Sequence, residues 1–363
     1  MIYADNAATT IIDAVAFNAM NYWMLDAYSN ASGAYSFSRE PKKVLKDARE
    51  SIAECIKAMA EEIYFTSGGT ESDNWAIKGR AFCYPNQKKR IITSQIEHHA
   101  ILRSCAFLEY IGYEVVYLPV DDKGRVAPES LEEAINEDTI LVSVMLANNE
   151  IGTIEPIREL ADIAHRHHVT FHTDAVQAMG HIPVFVDELG VDLLSASGHK
   201  FNSPKGVGFL YVRKGTQILP LHHGGSQESN MRGGTEAVAS IVAMAAALER
   251  NCTAMEKHRG HLRQLENIII HDLDAAEVDY VRNGADTRIP GNISLSFKKF
   301  DGEMILHRLD LRGICVSTGS ACNSKETEIS HVLQAIHLSE DYARGTIRIS
   351  LGKDNTGDEA KTI

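Results

Sequence analysis

The chain has 363 residues, 44% hydrophobic and 23% charged, with 36 Lys and Arg against 49 Asp and Glu. That length and balance belong to a globular protein with chain enough for about two domains. A net charge of −13 argues against nucleic acid as the main partner, and no apolar run reaches the ~18 residues of a membrane span.

The six cysteines form no CxxC pair and the 16 histidines no HExxH, so neither a disulfide framework nor a metal site is expected. That cysteine usage fits a reducing compartment, and the opening MIYADNAATT has no basic segment followed by an apolar stretch. The expected location is the cytoplasm.

Short apolar runs alternate with amphipathic ones, the pattern of an α/β fold with a mainly parallel sheet. Seven strands are predicted in chain order: 62–66, 90–94, 114–118, 140–145, 170–173, 193–196 and 208–212. Helices fit over 42–59, 73–83, 99–111, 130–134, 156–167 and 182–189, and a longer one around 238–249. The pattern then changes, with strands at 293–297, 314–317 and 346–351 and a helix at 302–311. The expected division is a large α/β domain over 15–249, with 1–14 and 250–363 forming a smaller α+β domain.

Three features fall at predicted strand ends, where open α/β sheets bind ligands. The run Phe65-Thr66-Ser67-Gly68-Gly69-Thr70-Glu71-Ser72-Asp73-Asn74 joins a strand to a helix through small residues. It suits an anion held by backbone N–H groups, although a plain capped turn reads the same. In Phe171-His172-Thr173-Asp174-Ala175-Val176-Gln177 a carboxylate ends an apolar strand, as a helix cap or as the partner of a buried cation. In Ser195-Ala196-Ser197-Gly198-His199-Lys200 a lysine follows a buried strand at once, where desolvation favours amine chemistry. Ser197 and His199 would offer donors beside it. An anion cradle, a partner for a protonated ring nitrogen and an amine together point to pyridoxal phosphate.

These segments and others resemble the class V aminotransferase group of fold-type I pyridoxal phosphate enzymes. Within it the chain is most similar to cysteine desulfurases of the iron–sulfur-cluster and nitrogenase type. The similarity is carried by Tyr3-Ala4-Asp5-Asn6-Ala7-Ala8-Thr9-Thr10, Glu97-His98-His99-Ala100, Asn148-Asn149-Glu150-Ile151-Gly152, Arg232-Gly233-Gly234-Thr235, Gly319-Ser320-Ala321-Cys322 and Ile347-Arg348-Ile349-Ser350-Leu351-Gly352. The chain departs from the family with Ala31-Ser32-Gly33-Ala34-Tyr35, where relatives carry a Pro-Ser-Ser-x-His run.

The resemblance implies a role for each matching residue. Lys200 would bind the cofactor covalently, Asp174 its ring nitrogen and Gln177 its ring hydroxyl, with His98 stacked on the ring and shuttling a proton. Gly69, Thr70, Ser197 and His199 would hold the phosphate, joined by Thr235 of a second subunit in a homodimer. Asn149 and Arg348 would bind the carboxylate of L-cysteine. Cys322, in a polar stretch read as a mobile loop of the small domain, would take the sulfur as a persulfide and pass it to an acceptor protein. Cys315, in the apolar run Gly313-Ile314-Cys315-Val316, reads instead as a buried structural cysteine. Two other readings stay open: selenocysteine lysis or transamination on the same fold, and a non-enzymatic scaffold for sulfur-transfer partners.

Overall fold

The computed structural model describes residues 1–84, 89–318 and 329–363. A short strand β1 (Ile2–Tyr3) and two helices, α1 (Ala14–Leu25) and α2 (Arg39–Cys55), lead into the main sheet. There β2 (Ile63–Thr66), α3 (Gly69–Ala81), β3 (Arg90–Ser94), α4 (His99–Tyr110), β4 (Glu114–Leu118), α5 (Pro128–Ala134) and β5 (Thr139–Ser143) alternate. The alternation continues through α6 (Ile157–Arg166), β6 (Thr170–Asp174), α7 (Val186–Leu189), β7 (Leu193–Ser197) and β8 (Gly208–Val212). Two long helices follow, α8 (Val238–Thr253) and α9 (Met255–Ala275). After them come β9 (Tyr280–Arg282), β10 (Asn292–Phe297), α10 (Gly302–Asp310), β11 (Ile314–Cys315) and β12 (Ser317–Thr318). The described chain closes with α11 (His331–Ala335), α12 (Glu340–Ala343), β13 (Thr346–Ser350) and α13 (Gly357–Thr362).

The main sheet has seven strands in the order β2-β8-β7-β6-β5-β3-β4, and β8 alone runs against the others. Strands β5, β6 and β7 are buried at every residue, because helices cover both faces. Side chains alternate across the sheet, so Val142, Phe171 and Leu194 join one core while Leu141 and Leu193 join the other. A third core lies between α9 and a four-stranded antiparallel sheet, β12-β13-β10-β9, where Leu262, Leu265 and Ile269 meet Ile293, Leu295, Ile347 and Ile349. This is the mixed α/β architecture expected of fold-type I enzymes.

Four local departures from the sequence reading have physical causes. α3 begins at Gly69 rather than near Asp73, because Gly68 takes φ +144° as the cap and lets the glycine turn become helix. α7 starts at Val186, four residues late, since Pro183 biases the residue before it away from helix. α8 runs on to Thr253, with only Ala254 separating it from α9. The run read as one strand over 314–317 is split: β11 pairs in parallel with β1, while β12 pairs with β13 in the other sheet.

Candidate active site

The C-terminal ends of β5, β6 and β7, the turn after β3 and the first turn of α3 gather most of the residues singled out above. Lys200 closes a short turn, Gly198–Lys200, directly after β7. Its Nζ donates to the carbonyls of Ala7 and Ala8 at 2.6 and 2.8 Å. Gln177 Nε2 donates to the same Ala7 carbonyl at 2.9 Å, so the N-terminal segment brings these two side chains together. His199 Nδ1 lies 3.2 Å from Thr9 Oγ1. His181 Nε2 donates to the Lys200 carbonyl at 2.9 Å and pins the turn from behind.

Asp174 ends β6 and is buried, its Oδ1 accepting the Val176 amide at 2.8 Å. Burial pushes its carboxyl up to about 6, opposed by the Val176 amide and the Lys200 charge. Two more buried carboxyls lie nearby. Asp73 has Oδ1 without a partner, and burial plus the Asp174 charge hold it well above the usual range. Glu97 accepts Ser94 Oγ and the Met145 amide on Oε1, leaves Oε2 unpaired, and is raised by burial to about 8. Close carboxyls in a low dielectric cannot all ionise, and Asp174, beside the lysine, is the one that holds charge at neutral pH.

His98 caps α4, its Nδ1 accepting the Ala100 amide at 3.1 Å. Burial, then the charge of Lys200, lower its imidazolium pKa to about 4. It is therefore neutral, and with Nδ1 accepting, its proton sits on Nε2. His331 Nε2 donates to the Glu97 carbonyl at 3.0 Å, and its ring centre lies 5.0 Å from that of His99.

The first turn of α3 supplies the anion cradle. A Cβ on Gly69 would stand 2.7 Å from Val176 Cγ2 and 3.4 Å from Ser197 Cβ, so glycine lets α3 begin this close to the segment after β6 and to the end of β7. Gly208 on β8 lets α3 come this close; its Cβ would meet the Ala196 carbonyl at 2.4 Å and Gly68 Cα at 2.7 Å. The first-turn amides of a helix have no partner within it and suit an anion; here Ser197 is buried beside Gly69 and Thr70 is exposed.

Across the site, Arg348 of β13 is buried. Its Nη1 donates to the Asn149 carbonyl at 3.0 Å and its Nη2 to Asp5 Oδ1 at 2.8 Å, while Nε has no partner. Asn149 thus meets Arg348 through its backbone, a contact that the motif alone does not reveal. Thr235 is exposed before α8, and among the described residues no hydrogen bond ties it to the others; Arg232, three residues earlier, bonds Glu71 of α3 at 2.9 and 3.1 Å. Cys322 lies outside the described residues, and Cys315 is half-buried rather than buried. Reading by motif left Asp5, Asp73, Glu97 and Glu150 without roles; what could have flagged them was acidic residues inside otherwise apolar or small-residue runs.

Residues 2–363 match the family model "Aminotransferase class-V". The chain belongs to this family. Its relatives place it among the cysteine desulfurases. A protein named cysteine desulfurase IscS from Dictyoglomus turgidum is 52% identical over 359 residues, covering 99% of this chain and 91% of that protein. The protein of the same name from Methanosarcina thermophila is 46% identical, covering 100% and 90%. Among solved structures, a NifS-like protein superposes with TM-score 0.94 at 37% identity, covering 99% of this chain and 96% of its own. "SspA in complex with cysteine" gives TM-score 0.86 at 36% identity, covering 98% and 100%.

The family uses pyridoxal phosphate, and the residues present fit it. A glycine-started helix end beside Ser197 suits the phosphate, the buried Asp174 suits a protonated ring nitrogen, and the charge of Lys200 is felt at Asp174. No helix among the described residues is long and apolar enough to cross a membrane.

Proposed function

We propose that this chain is a cysteine desulfurase that takes sulfur from L-cysteine, leaves L-alanine, and passes the sulfur from a Cys322 persulfide to an acceptor protein for iron–sulfur clusters or another thio-cofactor. The observation that carries this reading is the meeting of Lys200, Asp174, Gln177 and His98 at the strand ends, with Arg348 linked to them through Asp5 of the N-terminal segment. Pyridoxal phosphate, when bound, supplies an electron sink for charge developing at the substrate Cα.

The residues of the chain do the rest. Gly69, Thr70, Ser197 and His199 hold the phosphate, and Asp174 keeps the ring nitrogen protonated. Arg348 receives the substrate carboxylate, its planar fork suited to two parallel hydrogen bonds, with Asn149 beside it. Lys200 would hold the cofactor, and its Nζ, as a free amine, would take the proton from the substrate Cα. His98 would stack on the ring; neutral, with its one proton on Nε2, it would shuttle a proton only by first taking one up from the reacting groups and then returning it. Cys322 attacks the substrate sulfur as a thiolate, which at an ordinary pKa of about 8.5 is scarce near neutral pH and calls for a base.

A homodimer completes the proposal. Ile11, Met24, Leu25 and Tyr28 are 69, 58, 71 and 72% exposed along α1 and its flanks, an apolar surface that a second copy would cover. Thr235 would then reach the phosphate site of that copy. The division into 15–249 and the combined 1–14 and 250–363, and a cytoplasmic location, belong to the same reading.

The decisive assay incubates purified holoenzyme with L-cysteine and a reductant. Equal amounts of alanine and sulfide, abolished by Lys200→Ala together with the yellow absorbance, support the reading. Pyruvate or keto-acid production would instead favour transamination.

A further inference from the structure

One segment touches four of the residues assigned above. Residues 5–10 run beside β13, with the Ser350 amide donating to the Ala4 carbonyl at 2.7 Å and the Asn6 amide to the Ser350 carbonyl at 2.9 Å. The Ala7 carbonyl accepts Lys200 and Gln177, the Ala8 carbonyl accepts Lys200, and Thr9 meets His199. Asp5, where this strap begins, faces Arg348.

Arg348 is held from two sides. Asp5 takes an Nη2 hydrogen at 2.8 Å, and the Asn149 carbonyl takes an Nη1 hydrogen at 3.0 Å. Two anchors on different segments fix the plane of a rigid guanidinium, which a single contact would leave free to swing. Two of the five guanidinium N–H groups are thus used, and among the rest Nε is buried without an acceptor. A buried donor left unpaired is costly, so the N–H groups left over are set for an incoming acceptor.

Charge supports the same assignment. A second carboxyl, Glu150, lies within the field of Arg348 and accepts Ser330 Oγ at 2.6 Å. Burial pushes Glu150 up to about 7, and of the two it is Asp5 that touches the guanidinium, at 2.8 Å. With Asp5 on Nη2 and the Asn149 carbonyl on Nη1, a substrate carboxylate is received only by the N–H groups that these two leave over.

We propose that Asp5 is the positioning residue that sets Arg348 to receive an α-carboxylate, making the site selective for α-amino acids over simple amines. This rests on the assignment of Arg348 to the substrate carboxylate under Proposed function.

The test compares holoenzyme with Asp5→Ala, Asp5→Asn and Arg348→Ala. Binding of L-alanine and of ethylamine, which lacks the carboxylate, is read from the absorbance of bound pyridoxal phosphate. Asp5→Ala should shrink the preference for L-alanine by about tenfold or more, the size of one charge-assisted contact. Asp5→Asn, which keeps an acceptor without its charge, should fall between. With L-cysteine the loss should fall mainly on KM rather than kcat.

A preference retained in both Asp5 variants but lost in Arg348→Ala would overturn the role of Asp5 alone. A preference retained in Arg348→Ala would overturn the carboxylate assignment itself. If Asp5→Ala does not hold the cofactor, Asp5→Asn carries the decision by the same ratio.

Discussion

At the scale of single residues, environment separates groups of the same chemistry. Asp174 and Asp73 are both buried aspartates, yet the charge of Lys200 favours ionisation of the first, and the charge of Asp174 opposes it in the second. Asp73→Asn should therefore leave the absorbance and affinity of bound pyridoxal phosphate close to wild type, since it replaces one neutral group with another. Asp174→Asn should weaken cofactor binding and cut turnover by about a hundredfold, because a neutral amide no longer balances a protonated ring nitrogen. A large cofactor defect in Asp73→Asn would show that Asp73 carries charge. Among the thiols, Cys322→Ser should stay yellow and bind L-cysteine while alanine and sulfide release collapse in a coupled assay. Cys315, being half-buried, should tolerate serine at a cost below about 1 kcal/mol by thermal denaturation, less than a fully buried position would show.

At the scale of elements, the anion cradle is a packing arrangement of α3, β7 and β8. Its two glycines fail differently when changed. Gly69→Ala places a methyl group 2.7 Å from Val176, a side chain that can shift, so the fold should persist while cofactor affinity drops by about tenfold. Titration of the apoprotein with pyridoxal phosphate measures it. Gly208→Ala meets backbone at 2.4 and 2.7 Å, where nothing can rotate away. That variant should lose at least about 1–3 kcal/mol of stability by denaturant unfolding, with cofactor affinity falling alongside. A Gly208→Ala protein as stable as wild type would contradict the tight approach of α3 to the sheet.

At the scale of the whole molecule, buried carboxyls make stability depend on pH. Glu155 is buried, accepts the Val126 amide on Oε2, leaves Oε1 unpaired, and is raised by burial to about 8. A carboxyl whose folded pKa lies above its unfolded value binds its proton more tightly when folded. Its contribution is full below the ordinary carboxyl range and is lost as pH rises through about 8. Glu155→Gln has no such loss, so its Tm should gain on wild type between about pH 5 and pH 9. A constant Tm difference across that range would mean that Glu155 ionises normally. Assembly is tested at the same scale: sedimentation should give a dimer, and Leu25→Glu on the exposed α1 surface should shift it toward monomer.

Much of this molecule was legible along the chain. β3 and β8 fall where the apolar runs placed them, because strands buried on both faces must be apolar throughout, and the edge strand β4 falls where its own Val-Val-Tyr-Leu run placed it. Lys200 and Asp174 were visible because each ends such a run with a residue that is costly to bury, and Gly68-Gly69 because paired glycines after a strand mark a tight turn. What the chain alone could not say is which distant segments meet. The split of 314–317 into β11 and β12 depends on residues 2–3 returning to pair more than three hundred positions away. The grip of Asp5 and the Asn149 carbonyl on Arg348, and the meeting of Lys200 with Ala7 and Ala8, are likewise contacts between remote segments. Local periodicity reports which face of an element is buried; only the closed tertiary structure decides what that face is buried against, and so which carboxyl keeps its charge.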